Sequence, residues 1–186
     1  MVQLSALVVP IVLSAVIVFV ASSVLHMALR YHNSDYKRFE NEDDVRSAIN
    51  KGAAAPGQYM LPYNTSMSAL QNPSVLQKFT EGPVGLVLLR APGVMKMGPL
   101  LGAWFLYSIG ISVFAAYVAG RTLAAGAPYL AVFRIVGTVV FLGYAGAHIQ
   151  AAIWRGQPWS ATIKDVIDGL IYGLLSAGVF GWLWPR

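Results

Sequence analysis

"TIKDVIDGLIYGLL" (Thr162–Leu175) sets the terms on which this chain is read. It leads into one of the most apolar stretches of the sequence, yet Lys164, Asp165 and Asp168 fall within its first seven residues. From Ile163 to Trp184 the segment has the length of a membrane span, since about 20 apolar residues cross a hydrocarbon core. The carboxylates at its mouth therefore need an explanation, either structural or chemical.

The rest of the composition agrees with a membrane setting. Of 186 residues, 56% are hydrophobic and 11% charged, against roughly 25% charged in soluble domains. The charge is concentrated in one internal stretch. Besides Ile163–Trp184, the spans read as Leu4–Leu25, Pro99–Gly120 and Ile135–Trp154. The first has no Lys or Arg before it and an apolar run longer than a signal peptide's, so it reads as a retained anchor. Trp154 and Trp159 fall at one set of span ends and Trp182 and Trp184 at the other, where amphipathic rings suit the headgroup layer. Gly143, Ala147 and Ala151 repeat every four residues, as in helices that approach closely.

The polar insertion runs from His26 to Gly98. Asn41 followed by three acids starts a helix, with Val45, Ala48 and Ile49 as its stripe and Gly52 as its stop. "PGQYMLPY" reads as a turn and an extended piece. Asn72-Pro73 starts a second helix, and "VGLVLLR" (Val84–Arg90) reads as a strand. The fold class is thus an all-α membrane protein: a four-helix bundle with a small α+β insertion between helices 1 and 2. The segments are 1–25, 26–98, 99–120, 121–134, 135–154, 155–162 and 163–184. Seven basic residues lie near span ends on the insertion's side and three (Arg121, Arg134, Arg186) on the other, which favours a cytoplasmic insertion.

Four spans bring the histidines and the aspartates of the last span to one face. Thr162-x-x-Asp165 has capping-box spacing, so both read as the helix's own start signal. Asp168, Tyr172 and Ser176 form an i, i+4, i+8 ridge, and an ionisable group at that depth faces the bundle interior. Tyr144 and His148 form another i, i+4 pair at matching depth, so His148 is the expected partner of Asp168, with His26 nearby. Such a pair fixes helix register, or holds and shuttles a proton. Arg30, Lys37 and Arg38 in "RYHNSDYKRF" read as lipid-headgroup contacts.

Several classes are disfavoured. There is no basic run for nucleic acid and no cysteine for disulfides or thiolate sites. G-x-S-x-G and glycine-rich phosphate loops are missing, so no catalytic residue is assigned. No two of His26, His32, His148 and Asp168 show a metal motif such as HExxH, so no metal is expected. No cofactor is expected either, although haem across His26 and His148, or a quinone, is an open alternative.

"YLAVFRIVGT" (Tyr129–Thr138), "IWRGQPWSATIKDVIDGLIYGLL" (Ile153–Leu175) and "APGQY" (Ala55–Tyr59) resemble a family of bacterial integral membrane proteins of similar size. The resemblance implies a bacterial inner-membrane setting and no activity. The leading expectation is a non-enzymatic subunit, with the lipid bilayer and a homo-oligomer or larger membrane complex as partners. The alternatives are a small oligomeric transporter or channel using an Asp–His site, and a redox, quinone- or haem-binding protein.

Overall fold

The computed structural model describes residues 1–52, 54–64 and 66–186. The chain is mostly helical, with six α-helices and one two-stranded sheet among the described residues. It divides into two compact units.

The larger unit comprises Met1–Asp35, Lys96–Ala152 and Gln157–Arg186. Its first helical segment, Leu4–Leu29, is a 3-10 turn, then α1 (Val8–Ser23), then a π turn (Val24–Leu29). Arg30, in the left-handed conformation at φ 52°, ends it. The remaining helices are α4 (Met97–Thr122), α5 (Tyr129–Arg155, whose last residues fall in the second unit) and α6 (Trp159–Trp182). Among the described residues three segments, Leu4–Leu29, Met97–Thr122 and Tyr129–Arg155, are long and apolar enough to cross a membrane. This falls short of the four read from sequence. α6 has the length, but Lys164, Asp165 and Asp168 crowd its first turns.

The core gathers Leu7, Ile11 and Val18, Ala115 and Ala119 of α4, Val132, Val136 and Val140 of α5, and Phe180 of α6. α6 sits close against α5 through a run of small residues: Gly169, Gly173 and Ala177. A Cβ added at Gly173 would lie 3.1 Å from the Gly137 carbonyl oxygen and 3.3 Å from Phe141 Cβ. One added at Gly169 would lie 3.0 Å from Ala145 Cβ. Of the repeat read from the sequence, Gly143 marks a close approach of α5 to α4, where an added Cβ would lie 2.8 Å from Ile111 Cδ1, and Ala147 lines a cleft. The tryptophans at the far end also separate. Trp182 is exposed, whereas Trp184 is buried and donates its indole N–H to the Ala124 carbonyl at 2.9 Å.

The second unit comprises Tyr36–Met95 and Ile153–Gly156. It holds α2 (Glu42–Lys51), β1 (Gly57–Leu61), α3 (Pro73–Glu81) and β2 (Gly85–Leu89). The strands pair antiparallel with Tyr59 opposite Val87. Asn72 caps α3 by accepting the Ser74 N–H at 3.0 Å, and Pro73 takes the first helical position. Gly82, at φ 70°, ends the helix where a side chain would be strained.

Candidate functional site

The π turn after α1 and the left-handed Arg30 redirect the chain, and a 3-10 turn (Tyr31–Asp35) folds onto the first turns of α6. Lys164 fastens it there. Its ammonium donates to the Tyr31 carbonyl at 3.0 Å, Ser34 Oγ at 2.7 Å and Asp35 Oδ1 at 2.6 Å. Inserted π turns widen a helix and are frequent at functional sites; here the turn carries His26.

Asp168 is the hub. It is only 3% exposed. Its Oδ1 accepts the phenolic O–H of Tyr31. Its Oδ2 lies 3.0 Å from His32 Nε2 and 3.4 Å from His26 Nε2. The His26 and His32 rings stack with centroids 4.5 Å apart. The other ring nitrogen of His32, Nδ1, lies 2.8 Å from Asp35 Oδ2. Asp35 is held below its ordinary 3.8, chiefly by the hydrogen bond from Lys164 and then by His32, with desolvation opposing. Burial first, and the bond to Asp168 second, push the Tyr31 phenol well above its ordinary 10.0.

The expected Asp168–His148 pair is not what forms. His148 Nδ1 lies 3.0 Å from Asp165 Oδ2, and Gln157 donates its amide to the same oxygen at 2.7 Å. The capping assignment changes with it. α6 starts at Trp159, so Thr162 is already inside the helix and donates its hydroxyl back to the Pro158 carbonyl at 3.2 Å. Asp165 is thereby free to serve as partner of His148. A helix that begins one turn earlier than its charges suggest moves both residues from cap to face.

Both imidazole–carboxylate groups border one cleft of about 550 Å³, lined by His26, His148, Asp165, Asp168 and the rings of Trp104, Tyr107, Tyr144 and Tyr172. Trp104 is anchored by its N–H to Ser22 Oγ at 2.8 Å, and Tyr107 by its hydroxyl to the Gly143 carbonyl at 2.8 Å. Tyr144 and Tyr172 meet edge to face, with centroids 5.1 Å apart. The Tyr172 hydroxyl is buried and, among the described residues, has no hydrogen-bond partner; the same holds for Ser176 and Ser14.

Thus the cleft brings together all five polar-site residues read from sequence: His26, Tyr144, His148, Asp168 and Tyr172. Tyr31, His32, Asp35 and Lys164 were not assigned to it. A signal was present in His32-x-x-Asp35, whose spacing joins imidazole and carboxylate within one turn. Of the proposed headgroup residues, Arg30 donates back to the Met27 carbonyl at 3.0 Å, Arg38 lies 3.6 Å from Glu42, and Lys37 is exposed. Comparison with family models, curated proteins and solved structures finds no match to this chain.

Proposed function

We propose that the chain is a small multi-pass membrane protein of the bacterial inner membrane that handles an ion at Asp168, as a transporter or channel working in oligomeric form. The observation that carries this is the number of groups gathered on one buried carboxylate. A hydrogen bond that merely fixes helix register needs one partner; Asp168 has Tyr31, His32 and His26 around it. Intramembrane carboxylates are costly, and they mark ion pathways where they persist. Below Asp168, Tyr172 and Ser176 continue one ridge of α6 into the bundle, and their hydroxyls, with that of Ser14, have no hydrogen-bond partner among the described residues. Hydroxyls left unpaired in an apolar interior are expensive unless something polar visits them.

In this reading α6 is the fourth span. Ile163, Ile167, Leu170 and Leu174 form an exposed apolar stripe at helical spacing, suited to lipid or to a neighbouring copy. The opposite face carries the buried Asp168, Tyr172 and Ser176. The stripe fits a purely structural subunit role as well; the three groups gathered on Asp168 favour the ion reading. Reconstitution into liposomes tests the proposal: protein-dependent flux of protons or cations is expected. Flux indistinguishable from empty vesicles for every ion sinks it.

A further inference from the structure

We infer that His26, His32 and Asp168 form a binding site for a divalent transition-metal ion. This rests on the reading of Asp168 as an ion site and names the class of ion. One ring nitrogen each of His26 and His32 and an Asp168 oxygen all lie within 4.8 Å of one another. Two of the separations are 3.0 and 3.4 Å. Donors about 2.0–2.1 Å from one tetrahedral ion stand roughly 3.3 Å apart. The triad is therefore near the spacing of a metal's own ligands.

Three further observations point the same way. First, the second nitrogen of His32 meets Asp35 Oδ2 at 2.8 Å, and Asp35 is itself held by Lys164 at 2.6 Å. A carboxylate behind a ligating imidazole fixes its tautomer and orientation, and such partners accompany metal-bound histidines as a rule. Second, Tyr31 occupies the other oxygen of Asp168, leaving Oδ2 as the monodentate donor turned toward both imidazoles. Third, His26 and Asp168 border the cleft, so a fourth coordination position would face open space rather than protein. Two imidazoles and one carboxylate suit zinc, cobalt(II) or iron(II) rather than magnesium or calcium, which prefer oxygen donors.

The test uses the tag-free full chain in detergent, stripped with a chelator and titrated with cobalt(II), followed by visible absorption and by metal analysis after desalting. One cobalt per chain is expected, with ligand-field bands that zinc bleaches by displacement. His26→Gln and His32→Gln should each weaken binding at least about 100-fold. Asp35→Asn, which leaves all three donors in place, should weaken it about 10–100-fold and shift the bands. Each variant's fold is checked by circular dichroism and gel filtration. Failure of the wild-type chain to bind cobalt or zinc overturns the assignment, as does binding that His26→Gln and His32→Gln leave unchanged. Proton and alkali-cation flux in metal-free vesicles is read separately, so the metal assignment can fall while the ion-site reading stands.

Discussion

A neutral imidazole has one N–H to donate, and His32 has a carboxylate at each ring nitrogen, Asp35 at 2.8 Å and Asp168 at 3.0 Å. With Nδ1–H donated to Asp35, Nε2 keeps its lone pair on the side of Asp168, the arrangement a metal ion there would use. Lys164 pairs with Asp35 at 2.6 Å and closes the group on its outer side. The titration of its outer members follows. Asp35 has a lowered folded value, so the stability it contributes is present above its ordinary 3.8 and lost as pH falls through the lower folded value. Asp35→Asn should flatten the acid limb of stability below about pH 4, read by thermal unfolding across pH; an unaltered acid limb would count against the Lys164 tie. Tyr31 has a raised value, so its contribution is complete below its ordinary 10.0 and is lost only at strongly alkaline pH. Phenolate absorbance should show Tyr31 still protonated when exposed tyrosines have ionised, and the difference between wild type and Tyr31→Phe isolates it. Little of this was legible in the chain, because Tyr31 and His32 meet Asp168 across 137 and 136 residues. The local text around them reads as a basic and aromatic membrane border, and nothing in it announces a partner so far away.

Elements were more legible than contacts. Length and apolarity located all four long helices, since those properties are local and cumulative. The glycine end of α2 at Gly52 was equally plain. The start of α6 was misjudged: its first turn, Trp159–Thr162, holds no cap and precedes the charges that looked like one. The packing face was also hard to read, because α5 carries small residues on more than one side. The structure separates them. Gly173→Ala forces a methyl to 3.1 Å from the Gly137 carbonyl, which must move, whereas Gly146 has open space around it. We expect Gly173→Ala to destabilise the bundle by about 1–3 kcal/mol. Gly146→Ala should be neutral or stabilising by up to about 1 kcal/mol. Unfolding in mixed detergent–denaturant titrations distinguishes the two, and equal effects would contradict the close α5–α6 approach.

At the scale of the whole molecule the open feature is α6, which three charges keep from resembling its neighbours. The chain has no cysteine, so single cysteines report topology without background. If α6 crosses the membrane, cysteines introduced at Gln3 and at Pro185 should react with an impermeant maleimide from the same side. Labelling from opposite sides would leave α6 on the surface and remove the fourth span. Charge and length pointed to membrane-spanning helices in the sequence, and the depth of its ionisable residues pointed to the polar cleft; placing the turn after α1 on α6 added Tyr31, His32 and Asp35 around Asp168. The most direct test of that site as a working one is ion flux in liposomes, comparing wild type with Asp168→Asn, which keeps the shape and removes the charge. The account predicts flux at least about 10-fold lower in the variant, as for loss of a buried charge that pairs with the passing ion. Equal flux through both would contradict it.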